Sequence, residues 1–533
     1  MPLCHPVVPL LSRWLSVGVV ILAGVLRALP AEAGPLKAGV GKVDVSRADA
    51  GPCKPPLYVR TLAVSDGETT VVLASIDAVS IGQIGHIGNQ YLARVRQRLK
   101  DELGLDPSRF AINASHCHGV ICGDVEERTV EAVRQALARL EPVTVGTAVG
   151  HEDRIMENRR IRLKNGREAD VRHAYSMPAE EAVAGVGPVD PQIGVLRVDR
   201  VDGRPLAVVY NFAVHPILGV PSGSNTADLT GFSSQVIEEV LGNDAVALFV
   251  QGCGGDINPV TYKDPARPRD AEPLGNLLAL STLKAWRQVR PEVDPQLKQF
   301  GVPLELPRAD LADRIEAQEA ELQRLLKTLR GTTLNLKTFL PLVMRYRLDP
   351  DFPSQYSPAY LQERVLGRPD LDALDVSNRA AMEAYVQNIQ TMEEMTRVQT
   401  NLALLRMHHA QNVEAGKRTL DVELTALRIG EFRLLTFPGE LTVRIGLNLK
   451  DKAPHKPTFI AGYTNGYIYY APTAEQLLNV GNAQEDSDCL LAPEWQEIFE
   501  NKAVEMLKRL DCPWAPWPDR AAGTPPGDRQ PDR

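Results

Sequence analysis

Residues 245–251 (AVALFVQ), followed at once by 252–259 (GCGGDINP), decide how the rest of the chain is read. A short apolar run without charge or proline reads as a buried strand. The glycine-rich turn that closes it lets the backbone take conformations that side-chain-bearing residues avoid. Working outward, the same pattern recurs in 70–77 (TVVLASID), 109–115 (RFAINAS), 193–198 and 206–214 (LAVVYNFAV). Between these runs, residues 89–103, 125–140 and 231–241 carry helical spacing of apolar positions. Strands alternating with helices define an α/β class, here expected to be built on a large mixed sheet.

Residues 309–418 differ in kind: long, charged, leucine-spaced stretches read as helices, so the span is expected to be a helical insertion, with its apolar stretch 339–344 as a pocket wall or lid. Strand signal returns from Thr419 in LDVELTALRI, FRLLTF and TFIAGYT, and 493–510 reads as a closing helix. The expected organisation is thus 34–308 and 419–513 as one catalytic domain interrupted by the insertion. Residues 514–533, rich in Pro, Gly and charge, are expected to be a disordered tail. At the other end, Arg13 precedes the apolar run 14–26, and Ala31-Glu32-Ala33 places small residues two apart before Gly34. This reads as a signal peptide cut after Ala33 and implies a secreted or periplasmic protein.

Composition narrows the function classes. Over 533 residues, 44% hydrophobic and 24% charged describe an ordinary globular chain, and a net charge of -8 offers no basic footprint for a phosphate backbone. Nucleic acid is therefore not the expected partner. The oligomeric state is not legible. Removal of the leader takes Cys4 and leaves six cysteines, of which Cys489 and Cys512 are the pair expected to form a bridge.

Polar residues gather just after the buried strands: Ser115-His116-Cys117-His118-Gly119, His215-Pro216, Gly252 to Pro259, Pro438-Gly439-Glu440, and Asn465-Gly466-Tyr467-Ile468-Tyr469-Tyr470. Loops at the carboxyl ends of strands are where α/β proteins assemble sites, because the strands fix positions while the loops carry chemistry. Each signal has a plain reading of its own: His215 as a core histidine, Glu440 at the N-terminus of the helix read in LTVRIGLNL, the tyrosines as core aromatics. Together, two His, one Glu and a phenol make an N/O ligand set suited to zinc with an exchangeable position. A rival, thiolate-rich structural site would use Cys117, His118, Cys122 and Cys253.

In order and content these clusters resemble the neutral/alkaline, non-lysosomal ceramidases, over about residues 37–511. Ser115-His116-Cys117-His118 resembles the SHTH motif, Phe212-Ala213-Val214-His215 the FAVH strand end, Pro438-Gly439-Glu440 with Thr442 the PGE(F/L)T segment, Tyr470 with Pro472-Thr473 the YxPT segment, and Asn158-Arg159 the NR pair. The resemblance implies a zinc-dependent hydrolase of an N-acyl bond, in sphingolipid metabolism, with a small-molecule or lipid substrate and transient contact at a membrane surface. It implies His116, His215, Glu440 and Tyr470 as metal ligands, with His118 and Arg159 facing the substrate. Three departures stand out. Asn258 occupies the position of the serine in the GDVSPN motif, so attack is expected from a zinc-activated water, with Asn258 giving a hydrogen bond to substrate or water; a second pocket tyrosine is replaced by Asn482; and the family's C-terminal immunoglobulin-like domain is not expected after the closing helix. The substrate is accordingly left open between ceramide-like lipids and other amides or esters, and a catalytically degenerate protein that only binds lipid or glycan is the alternative from another class.

Overall fold

The computed structural model describes residues 36–171, 178–219, 225–260, 266, 269–294, 296–353, 357–479 and 483–512. The 1–33 leader, the 514–533 tail and Asn482 lie outside them. An eight-stranded sheet runs in the order Val246–Gln251, Pro205–Phe212, Gln192–Arg200, Glu141–His151, Lys37–Asp44, Tyr58–Ser65, Thr70–Ile76 and Phe110–Ala114. Its pairs are antiparallel except at the two edges, where Pro205–Phe212 pairs parallel with Val246–Gln251 and Thr70–Ile76 with Phe110–Ala114. The sheet is mixed, as expected. Both edge strands are buried along their whole length, which is why they read as continuous apolar runs rather than alternating ones.

A four-stranded sheet, Leu297–Pro307, Thr419–Ile429, Phe432–Thr436 and Phe459–Ala461, packs face to face on the large one. Leu427, Ile429, Phe432 and Phe459 interleave there with Leu196, Val198, Val209 and Leu248. Outside the large sheet lie the helices Tyr91–Leu103 and Val125–Ala138 on one half and Asp228–Leu241 and Glu272–Gln288 on the other. The closing helix Trp495–Leu510 and the helix Val443–Lys452 cover the small sheet. Two inner sheets between outer helices bury their facing strands in apolar surroundings.

The expected strands and helices are observed, with helix starts shifted by two or three residues, as at Tyr91 and Asp228, whereas Lys37–Asp44, Tyr58–Ser65, Glu141–His151, Leu297–Pro307 and the helix Glu272–Gln288 are not among those expected from the sequence. The insertion contains the helices Ala312–Thr328, Leu336–Leu348, Pro358–Val365 and the 45-residue Asp370–Glu414. The expected bridge between Cys489 and Cys512 does not form. All six cysteines of the described residues are free, Cys489 buried in the core and Cys512 exposed. Near ends in sequence did not make near ends in space: Cys489 packs beneath the small sheet, while Cys512 hangs past the last turn of the closing helix.

Gly41 shows how tightly the helical layer sits. A Cβ there would come within 2.0 Å of the Ala132 carbonyl oxygen in the helix Val125–Ala138. We expect Gly41→Ala to force that helix outward and to cost about 1–3 kcal/mol, the scale of overpacking. A urea midpoint equal to the wild type would show that the layer yields freely.

Candidate metal centre

Two buried amides fix the strand ends. Gln251 Nε2 donates to Val214 O at 2.6 Å and to Ser115 O at 3.1 Å. Its backbone N–H donates to Asn113 Oδ1 at 2.8 Å, and Asn113 Nδ2 donates to Gly462 O at 2.8 Å and Thr464 Oγ1 at 2.9 Å. The large sheet therefore curls until its opposite edges touch, and four strand ends meet at one point. Within two residues of these contacts stand His116, His215 and Tyr463. Gly255 completes the junction, since a Cβ there would sit 2.6 Å from the carbonyl oxygen of Glu440.

The histidines are aimed by the backbone. His116 Nδ1 lies 2.6 Å from Val79 O, and His215 Nδ1 lies 3.1 Å from Ile257 O. A carbonyl can only accept, so each Nδ1 carries the proton and each neutral ring turns an Nε2 lone pair inward. Glu440 Oε2 lies 3.1 Å from His215 Nε2 and 3.6 Å from His116 Nε2. Both rings and the carboxylate are buried. Three acceptors thus face one point. Such an arrangement is repulsive unless a cation sits among them, and the ligand atoms of the three residues lie within 4.8 Å of one another. Burial lowers the His116 pKa to about 4, a shift that Glu440 partly opposes, which keeps the imidazole neutral as a metal ligand must be.

Glu440 sits in the short strand Glu440–Leu441, paired in parallel with Tyr470–Ala471 so that Glu440 and Tyr470 are register partners. Tyr463 donates to Glu440 Oε2 at 3.0 Å, and Tyr467 donates to Oε1. Burial raises this carboxyl, and the hydrogen bond donated by the Tyr467 hydroxyl opposes that rise. The same burial and the Glu440 charge push the Tyr463 and Tyr467 phenols well up, so both remain donors. Tyr470 places its hydroxyl 3.4 Å from His215 Nε2, with the two rings nearly parallel. Glu440 does not cap the helix Val443–Lys452. Asp256 takes that place, its Oδ1 accepting from Val443 N at 2.7 Å.

Arg159 is buried, with Nη2 donating to Tyr470 OH at 3.2 Å, Nη1 to Asn258 Oδ1 at 3.2 Å, and Nε facing Glu485 at 2.7 Å. Asn258 lies behind Arg159, and its Nδ2 has no hydrogen-bond partner. His118 is exposed on the wall of a cavity of about 440 Å³ that also takes in His116, Arg159, His215, Glu440 and Tyr470. The structure therefore brings together all seven residues expected at the site, with Asn258 set one layer back. Sequence reading missed Tyr463 and Glu485. Tyr463 ends TFIAGYT and obeys the same strand-end rule; Glu485 stands in an acidic run, Glu485-Asp486-Ser487-Asp488, which in sequence reads as solvent-facing yet is buried.

Two expectations are overturned. Cys117 and Cys122 belong to the core beneath the large sheet and Cys253 to the core beneath the small one, so the thiolate-rich site is not assembled. Burial also raises the Cys117 and Cys253 thiols far above their ordinary value, against metal binding. The insertion does reach the cavity, but through Leu404 and Met407 of the long helix rather than through the stretch 339–344. Phe339 instead stacks on Tyr385 of that helix, 4.3 Å between ring centres. His408, one residue beyond Met407, is tied to Asp488 at 2.8 Å and fixes the helix against the cavity rim.

No protein-family model and no curated protein matches this sequence. Solved structures do. The neutral ceramidase from Pseudomonas aeruginosa superposes with a TM-score of 0.54 at 16% identity, covering 89% of this chain and 75% of that one. A ceramidase complexed with C2 gives 0.55 at 18% identity with the same coverage. The fold is that of the neutral ceramidases.

We expect the protein to take up about one divalent ion per chain, and His215→Ala or Glu440→Ala to lose it, because removal of one ligand from so small a set weakens binding severely. Cys117→Ser with Cys253→Ser should retain it. Metal analysis after gel filtration decides; stoichiometric metal in both ligand variants would refute the assignment.

Proposed function

We propose that this protein is an exported zinc-dependent amidohydrolase that cleaves an N-acyl bond in a lipid-like substrate. The observation that carries the reading is the convergence of two backbone-pinned Nε2 lone pairs and a buried carboxylate on one point at the floor of a cavity. With the Tyr470 hydroxyl, these form an N/O set of the kind that holds zinc with a position left for substrate or water. When bound, zinc supplies Lewis acidity and makes hydroxide available near neutral pH.

The chain's own residues do the rest. Arg159, held by Glu485 and Asn258, directs its Nη2 at the Tyr470 oxygen, which leaves the phenolic hydrogen to turn toward a carbonyl oxygen as negative charge develops there. His118 stands on the exposed wall, within reach of a leaving amine, where it can give or take a proton at its imidazole. Asn258 cannot serve as a nucleophile, since its amide nitrogen is delocalised into the carbonyl and its N–H is far too weak an acid for a side-chain base to remove. Its role is to hold Arg159. Ile84, Ile217, Leu404 and Met407 give the cavity an apolar side that suits an acyl chain, and the ceramidase fold supports the same substrate class.

Asn258 is also what favours the second reading, a lipid-binding protein without turnover. Assay of the metal-loaded protein on N-acyl lipids, acyl amides and esters separates the two: release of fatty acid from an amide is expected, and binding without release would favour the second. In 18O-labelled water, the label should enter the acid product directly. Arg159→Ala should keep the metal and lower the rate by about 10²–10³-fold, the scale of losing a donor to an oxyanion. Equal turnover in that variant would remove Arg159 from the site.

Export rests on the leader-like residues 1–33. N-terminal sequencing of the secreted chain should begin at Gly34, and an intact Met1 would contradict it.

A further inference from the structure

Exposed large apolar side chains are not spread evenly over the described residues. Nine of the 23 fall within residues 336–376, the distal part of the helical insertion. On the helix Leu336–Leu348 they are Leu336, Leu340, Met344 and Leu348, each four residues after the last, with Leu348 80% exposed. The opposite side of this helix is spoken for, since Phe339 stacks on Tyr385 and Tyr346 bonds Asp375 of the long helix. Leu361 and Val365 are likewise exposed on the helix Pro358–Val365, which packs on the same long helix. A side-chain stripe with period four facing water costs hydration free energy and marks a surface that is covered in use.

Charge says by what. The helix Leu336–Leu348 carries Lys337, Arg345 and Arg347 and no acidic residue, in a chain whose net charge is -8. A second copy docked by two-fold symmetry on this stripe would set three cations against three. An anionic bilayer surface complements it: leucines and methionine enter the acyl boundary while the long basic side chains reach back to phosphates. No described helix is long and apolar enough to cross a membrane, so the contact is a helix lying in the interface. From Tyr385 to Leu404, which lines the cavity, is 19 residues of one helix, about 28 Å at 1.5 Å per residue. The stripe is thus separate from the chemistry.

We propose that the helix Leu336–Leu348, with its neighbour Pro358–Val365, is an interfacial anchor that docks the protein on anionic lipid bilayers. This does not rest on the hydrolase reading, because docking is measured without turnover. The test is co-sedimentation of the mature chain with sucrose-loaded vesicles of phosphatidylcholine containing phosphatidylglycerol, against vesicles of phosphatidylcholine alone. Binding to the anionic vesicles, weakened by salt, is expected. Leu340→Glu with Met344→Glu should weaken it at least about tenfold, and Lys337→Glu with Arg347→Glu severalfold. All four side chains are exposed, so thermal melting should match the wild type and show that the fold is kept. Absence of binding to anionic vesicles, or binding unchanged in Leu340→Glu/Met344→Glu, overturns the proposal. So does a wild-type dimer that this double variant converts to monomer, since the stripe would then belong to a second copy.

Discussion

The contact on which this molecule turns is made by two neutral amides. Gln251 and Asn113 stand on opposite edge strands of the large sheet, and their hydrogen bonds join those edges to each other, to the end of the strand Pro205–Phe212 and to the segment after Phe459–Ala461. Buried polar groups must find partners, and here the partners are backbone atoms of four different segments. One solution satisfies all of them at once. It is the solution that sets His116, His215, Glu440 and Tyr463 around a common point.

The point so defined is electrostatically unfinished by protein alone. Carbonyls of Val79 and Ile257 fix the outer nitrogen of each imidazole, two phenols donate to the carboxylate, and the remaining lone pairs face inward. The backbone is held in the left-handed region at His116, Tyr463 and Tyr469, a conformation that costs on the order of 1–3 kcal/mol at such residues. Strain gathered at three positions around one cavity indicates that position, rather than stability, governs the local sequence. The outer layer serves the same end: Glu485 balances Arg159, and Arg159 in turn orients the Tyr470 hydroxyl.

Much of this was legible in sequence, and the reasons are physical. Fully buried edge strands give unbroken apolar runs, so 110–114 and 246–251 stood out, and the polar residues after each strand could be read as a site because a rigid strand fixes where the next loop begins. Long-range pairing left weaker traces. Nothing local shows that Glu485 is buried, because an acidic run looks the same in solvent or beside a guanidinium. The Cys489 and Cys512 expectation failed for a related reason: 23 residues allow either approach or separation, and the packing of the closing helix chose separation. The insertion was legible as helix, yet which of its faces meets the cavity depended on tertiary contacts, and His408 on Asp488 decided it in favour of Leu404 and Met407.

His116, His215 and Glu440 form a group able to hold one metal ion. Anomalous diffraction at the zinc edge from crystals of the zinc-loaded protein is the sharpest test. A single strong peak per chain is expected, bonded to His116 Nε2, His215 Nε2 and a carboxylate oxygen of Glu440 at about 2.0–2.2 Å. A peak elsewhere, or zinc held through either Nδ1 with the Val79 and Ile257 contacts broken, would contradict it.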